Sequence, residues 1–439
     1  MNVQPGNHVP ATPVIVVSAH KYSLRVAIRN RLYPDAEQGE LFAVHCGHAR
    51  FVWNLAVEQQ AWRRPGRGNP PASAARQRQL AEARQAEPWL AAGSSSVQQQ
   101  ALRDFDRAMA AFFDKGNPAG QPEFRSKRGR QGFVVRDAKA RRLSRHWGEV
   151  QVPKCGWVRF RWTKPLPASP GMARITLDRA GKWHVSFPAP QPAVSREPAG
   201  KAIGVDLGVR TALVTSDGQH YRAPQISGRQ AARYLAAQQR MARQHKKSRQ
   251  RERTRRAMAG IAAGVTRRRQ DWAEKISTRL VAANDVIVLE KLNTKGMVRK
   301  PAPKPDPGQP GAFLPNRARA KAGLSRGILA SCWGALSTRL EQKSSASGTT
   351  ALFVDPRFTS QQCRACGHTA RENRESQAVF ACVACGHSDH ADANAARNVL
   401  ARGLLAANGE VVPAHAPGHG AYACGSPRQA AAGTTRSAA

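Results

Sequence analysis

Cys363 and Cys366, followed after fifteen residues by Cys382 and Cys385, constrain this chain more than any other feature. The spacing C-x2-C-x15-C-x2-C, with Gly-His after each pair ("CRACGH", "CVACGH"), is that of a structural zinc ribbon. Four soft sulfur ligands close a tetrahedron there and leave no open position for chemistry. His368 and His387 are rival ligands, although four thiolates already suffice. Cys46, Cys155, Cys332 and Cys424 stand alone and read as buried, inert thiols.

Charge narrows the partners. Lys and Arg number 69 against 29 Asp and Glu, a formal net charge of +40 in 439 residues, which implies a polyanion. The basic residues run along the whole chain and are not gathered on one amphipathic segment, so nucleic acid is favoured over a membrane surface. No apolar stretch is long enough to span a bilayer. The first twenty residues lack a charged start followed by an apolar core, and a cytoplasmic protein is expected. The length exceeds one hydrophobic core, so two or more domains are expected.

"AIGVDLGVRTALVTSDG", residues 202–218, sets Asp206 inside an apolar run. Strand alternation places Ile203, Val205 and Leu207 on one face and Gly204, Asp206 and Gly208 on the other. That second face is bare, which suits a bound metal, a phosphate or a closely approaching backbone. Glu290 ends "DVIVLE", a continuous apolar run expected of a parallel strand buried on both faces. Asp392, in "SDHADANAARNVLA", falls in the first turn of a helix whose Ala395, Ala396 and Val399 share its side. Taken singly, Asp392 also reads as an acid complementing the helix dipole and Glu290 as an exposed strand end. Asp389 reads as an N-cap pointing away from the sheet. Together, Asp206, Glu290 and Asp392 form a hard oxygen site suited to Mg2+ or Mn2+, at the strand ends where α/β sheets gather function. Such a site can activate water for in-line attack on a phosphodiester.

The remaining segments read as follows. "SLRVAIRNRL" is a strand with one basic face, and "FVWNLAVEQQAW" is helical. "ALRDFDRAMAAFF" is a helix whose Leu102, Phe105, Met109 and Phe112 share a face. "GEVQVP", "GWVRFRW" and "ARITLDRAGKWHVSF" form a small antiparallel barrel or sheet. "PAPQPAVSREPAG" marks a boundary. A long basic helical region follows, with Trp272, Ile276 and Leu280 on its inner face. A helix over about 325–343, the strand "TALFVD" and a final helix near Asp392 complete the second half.

"IGVDLGVRTALVTSDG", "VIVLEKLNTKGM", "FTSQQCRACG…CVACGH" and "HADANAARNVL", in this order, closely resemble the split RuvC nuclease domain and zinc ribbon of the TnpB family, the RNA-guided DNA endonucleases of insertion sequences. "RLYPD", "ARFVWNLA", "GQPEFRSKR" and "VPKCGWV" are similar to its wedge and recognition segments. The resemblance implies an α/β plus β architecture: an RNase H-like (RuvC) domain with an inserted zinc ribbon, and an N-terminal β-barrel wedge with an inserted helical recognition domain. Expected boundaries are a disordered leader 1–22, wedge 23–45, helical recognition 46–117, wedge 118–199, RuvC-like 200–357, ribbon 358–388, final RuvC-like helix 389–405 and a disordered tail 406–439. By position it makes Asp206, Glu290 and Asp392 the catalytic acids and Mg2+ ligands, and Cys363, Cys366, Cys382 and Cys385 the Zn2+ ligands. Trp53, Gln99, Arg125, Lys127 and Arg269 are candidate nucleic-acid contacts. Implied partners are a guide RNA from the element end and double-stranded target DNA beside a short adjacent motif, with the protein a monomer in complex with RNA. A guide-directed repressor without cleavage and a strand-joining transposase are the alternatives.

Overall fold

The computed structural model describes residues 15–17, 25–61, 70–309 and 311–407. The chain divides into two compact units, 20–193 with 224–271, and 1–19 with 194–223 and 272–439.

The first unit is built on a seven-stranded antiparallel sheet. Strand Arg25–Tyr33 is central, flanked by Trp183–Pro190 on one side and Gly156–Arg161 on the other. Met172–Leu177 and then Gln131–Arg136 continue one edge; Trp147–Val152 and Ala140–Arg142 continue the other. Among the described residues no pairing joins the two edge strands, so the strands form an open seven-stranded sheet, one of the two arrangements expected from the sequence. Its inner side chains, Leu32, Phe160, Ile175 and Phe187, are fully buried and share one core with Phe42 and Phe105 of the helices. Those helices are Ala36–Ala61, Ser73–Ala86 and Ser95–Phe113. The expected boundary between residues 45 and 46 falls inside the first of them. The helix starts ten residues earlier because Pro34 ends the strand, while Asp35 accepts a bond from the Gln38 amide (2.8 Å) and Gln38 Oε1 accepts one from the Asp35 amide (3.2 Å), a reciprocal cap. Leu102, Phe105 and Met109 are buried as expected, but Phe112, near the helix end, is exposed.

The second unit carries a six-stranded mixed sheet. Its centre is parallel: Val286–Glu290 lies between Ala202–Asp206 and Thr350–Val354. Leu213–Thr215 and His220–Tyr221 extend one side as an antiparallel meander. The other edge corrects the expected leader. Within 1–22, Ile15–Val17 pairs antiparallel with 351–353, because an apolar run of β-branched residues completes an otherwise open edge. The expected tail 406–439 lies outside the described residues apart from its first two, which continue the last helix, Ala391–Ala407. Residues 224–271, expected in the RuvC-like segment 200–357, group with the first unit. The helix expected over about 325–343 is two, Ala318–Ala330 and Trp333–Ser347, broken at Ser331 and Cys332, where Cys332 takes positive φ.

Each face of this sheet has its own core. Ile203, Val205, Leu207, Ile287 and Leu289 pack against Ile276, Leu280, Trp333, Leu336 and Leu340. Val288, Leu352 and Val354 pack against Val399 of the last helix. That second contact is very close. A Cβ at Gly204 would lie 2.2 Å from the Ala396 carbonyl oxygen, and one at Gly403 would lie 2.4 Å from Val288 Cγ1. The bare glycine face therefore does not stand open to a phosphate at Gly204. It is filled by helix backbone, and this approach carries Asp392 toward Asp206.

Candidate functional site

Asp206 and Glu290 each end a parallel strand. Leu289 lies opposite Val205, so both carboxyl groups leave neighbouring strands at one sheet end, on the face covered by Ala391–Ala407. Asp392 occupies the first turn of that helix. Burial, and then the charges of Glu290 and Asp392, push Asp206 well above the ordinary carboxylate range, while Arg374 acts in the opposite sense. Burial pushes Glu290 up to about 7, against the bond it accepts from Thr359 Oγ1 (2.7 Å). The structure thus brings Glu290 and Asp392 near enough to Asp206 for their charges to act on it, with Glu290 buried and the other two part-buried. A cavity of about 280 Å³ opens beside Glu290, walled by Leu207, Trp333, Ser337, Glu341 and Phe353.

Arg374 has no counterpart in the sequence reading. It reaches from the cysteine-rich insert to Asp392 Oδ1 at 2.8 Å and donates also to the Gln377 carbonyl (3.2 Å). No spacing rule singles out one arginine among so many; only the folded insert brings it to the acids. Asp389, the rival acid, is paired with Arg397 and turned to its own task. Asn394 and Asn398 were likewise unremarked. Asn394 bonds Gln362 O and the Arg364 amide, and Asn398 bonds Thr359 O and Gln362 O, so the helix carrying Asp392 is stitched to the chain entering the ribbon.

In the ribbon the four Sγ atoms lie within 4.8 Å of one another, with Cys363 to Cys385 at 3.8 Å and Cys366 to Cys382 at 3.6 Å. A tetrahedron with zinc–sulfur bonds of about 2.3 Å has edges of about 3.8 Å, so the thiols fit zinc without rearrangement. The two loops match. Gly367 and Gly386 both take positive φ, their amides bond Cys363 O and Cys382 O, and the carbonyls of His368 and His387 accept from the Cys363 and Cys382 amides. The histidines thus contribute backbone to each loop.

The expected nucleic-acid contacts divide. Trp53 is 6 % exposed and packs edge-on to Phe105; its indole donates to Glu123 O and Arg125 lies over its ring. It is a buttress and not a contact, because a residue on the inner face of an amphipathic helix is claimed by the core. Asn54 bonds both the amide and the carbonyl of Arg125, so Trp53 and Asn54 together fix the loop presenting Arg125 and Lys127. Lys127 and Gln99 are exposed. Arg269 is half-buried and donates to Pro224 O.

Three family models match: "Probable transposase" (OrfB_IS605) over residues 185–300, "Cas12f1-like, TNB domain" over 333–399, and "Helix-turn-helix domain" (HTH_OrfB_IS605) over 24–68. Within the last span the described residues form a strand and one helix. "Putative RNA-guided DNA endonuclease InsQ" of Escherichia coli (strain K12) is 30% identical over 396 residues, 89% of this chain and 96% of that protein. The chain belongs to the TnpB family. A second relative, "Putative RNA-guided DNA endonuclease" of Streptomyces pristinaespiralis, is 30% identical over 87% of this chain and 90% of its own. Among solved structures, the Cas12f1 chain of a complex with single-guide RNA and target DNA aligns over 83% of each chain with a TM-score of 0.51 at 13% identity, a likeness of fold. The TnpB chain shares its mixed α/β framework with that effector. Among its described residues no helix is long and apolar enough to cross a membrane.

Proposed function

We propose that this chain is the RNA-guided DNA endonuclease of an insertion sequence, hydrolysing phosphodiester bonds at Asp206, Glu290 and Asp392 with Mg2+ or Mn2+. The observation that carries the reading is the convergence of three carboxylates, Glu290 buried and Asp206 and Asp392 part-buried, at adjacent strand ends and one helix start, inside a chain of formal charge +40. Asp206 and Glu290 hold their protons more tightly than ordinary carboxylates, a tendency that bound cations would offset, and hard oxygen donors suit Mg2+. Divalent ions held by Asp206, Glu290 and Asp392 would supply positive charge against the phosphate and the leaving oxygen and would lower the pKa of an attacking water.

The chain's own groups set the geometry. Thr359 fixes the Glu290 carboxyl by its 2.7 Å bond, and Asp206 lies next to Glu290 in the sheet. Arg374 holds Asp392 from the ribbon side. The ribbon, with zinc on its four cysteines, ties the strand leaving 350–354 to the helix bearing Asp392. The first unit serves as the wedge and helical recognition parts, and a bound guide RNA supplies sequence specificity by pairing while the protein reads a short motif beside the target. The RNA complex holds one protein copy and acts in the prokaryotic cytoplasm.

A supercoiled plasmid library with randomised bases beside a fixed target tests this, using protein co-expressed with its element's flanking RNA ending in the matching guide. With Mg2+, cuts beside one enriched motif are expected, and Asp206→Asn should remove them while RNA binding is retained. Cuts that persist in Asp206→Asn overturn the site; bound target without cuts moves the reading to a repressor.

A further inference from the structure

The outer face of the seven-stranded sheet carries a lattice of aromatic and basic side chains that the nuclease site does not use. Strand register fixes it. Arg141 lies opposite Glu149, Glu149 opposite Arg159, and Arg159 opposite Tyr33, one row across four strands. In the adjacent rows Trp147 lies opposite Arg161, and Gln151 opposite Trp157. Side chains two apart on each strand share this face, while Leu32, Val150, Val158 and Phe160 between them point into the core.

The contacts on the face are cation over ring. Arg161 lies 5.3 Å from the Trp147 ring centroid, Arg141 4.3 Å from Trp157, and Arg31 5.4 Å from Tyr33, whose ring also meets Trp147 edge-on at 5.2 Å. Significant pairs of this kind occur about once in 70–80 residues, so three on one small face mark a local arrangement. The acid within it, Glu149, is paired with Arg141 (2.7 Å) and Arg159 (3.6 Å), so it leaves the face positive. Tyr33 is 47% exposed and the Arg141 and Arg159 side chains 55% and 70%, while Trp147, Trp157 and Arg31 are half-buried beside them.

Duplex DNA offers such a face its phosphates and groove edges but no base planes to stack on, since its bases are stacked on one another. Unpaired bases slide onto aromatic and guanidinium planes while the flanking phosphates meet the arginines, and an antiparallel sheet bearing aromatics is a recurrent way to hold single-stranded RNA. We infer that this face, with Tyr33, Trp147 and Trp157 as its rings and Arg31, Arg141, Arg159 and Arg161 as its cations, is a stacking platform for unpaired nucleotides of the RNA that the protein carries. RNA is favoured over DNA because the displaced DNA strand is unpaired only while a target is open, whereas the part of an RNA outside its guide offers unpaired bases for as long as the protein carries it. The inference rests on the RNA-guided reading above, yet it concerns binding and needs no cleavage.

The test uses the full chain and a fluorescent oligoadenylate at about 0.2 M salt, where binding through phosphates alone is weakened by orders of magnitude. Tyr33→Leu and Trp147→Leu should each weaken binding about tenfold, whereas Tyr33→Phe and Trp147→Phe, which keep a ring, should bind as the parent does. Phenylalanine variants as weak as leucine variants, or leucine variants as tight as the parent, overturn the platform. To identify the strand, protein purified with its element's RNA is loaded with target DNA, irradiated with ultraviolet light, and its nucleotide-bearing peptides mapped. RNA adducts on Tyr33, Trp147 or Trp157 support the inference, and this readout on unmutated protein stands even if a variant fails to fold. Adducts there from DNA alone, or none on this face, overturn it. Failure of the nuclease reading appears separately, as loss of motif-dependent cuts in protein whose RNA binding is intact.

Discussion

Replacing Glu290 by glutamine should stabilise the protein when no divalent ion is bound, by an amount that grows with pH. Burial is the chief reason that Glu290 keeps its proton up to about 7 instead of the ordinary 4.5, with Asp355 adding to it and Thr359 and Arg402 opposing. Because the folded-state value is the higher one, the folded protein binds more protons than the unfolded chain between these limits. The contribution of Glu290 to stability is therefore greatest below about pH 4.5 and is lost as pH rises toward 7. At about 1.36 kcal/mol per pH unit, the penalty above pH 7 is about 3 kcal/mol. For a unit of roughly 200 residues each kcal/mol moves the melting temperature by about 2–4 °C, so a gain of about 6–12 °C is expected at pH 8. Glutamine has nearly the same shape, and its Oε1 still accepts from Thr359 Oγ1, now 2.7 Å away. Differential scanning calorimetry from pH 5 to 8, in buffer free of both Mg2+ and chelator so that ribbon zinc is retained, reads the effect. The parent should lose stability with rising pH and recover it with Mg2+. Glu290→Gln should match the parent at about pH 5, exceed it at about pH 8, and gain little from Mg2+. A parent melting temperature flat across this range, or a glutamine variant that melts lower at pH 8, would refute the reasoning.

Two further variants probe how the acids are brought together. Gly204→Ala places a methyl 2.2 Å from the Ala396 carbonyl oxygen and 2.7 Å from Leu400 Cβ. It should cost about 1–3 kcal/mol by overpacking and lower cleavage by lifting the helix that bears Asp392; a denaturation midpoint equal to the parent's would count against the close helix approach. Cys363→Ser with Cys366→Ser should release zinc from the purified protein and loosen 358–388 to protease, so unchanged zinc by atomic emission would reject the four-thiolate site.

The parts of this molecule that were legible in the sequence are those set by local rules. The ribbon is legible in the spacing, since two Cys-x-x-Cys-Gly loops fifteen residues apart supply the four thiols of a tetrahedral site, and the Sγ distances agree with that closure. The buried parallel strand Val286–Glu290 announced itself by an unbroken apolar run. What escaped was whatever depends on which element approaches which. The glycines around Asp206 suggested clearance, but not that a helix backbone fills it; the difference lies in Ala396 and Leu400, nearly two hundred residues away in the chain. Trp53 resembled a nucleic-acid contact because an aromatic in a basic protein is ambiguous until its neighbours are known, and Phe105 and Glu123 decide it in favour of packing. Arg374 was invisible for the opposite reason, being one of many arginines, and only the folded insert gives it Asp392 as a partner. Gly204 and Gly403 bring the final helix onto the sheet, and Asn394 and Asn398 bind that helix to the ribbon's entry. The ribbon's arginine then meets the helix's acid. The four-cysteine cluster therefore contributes to the acid cluster through the backbone it fixes, and the geometry at Asp392 depends on thiols that never touch it.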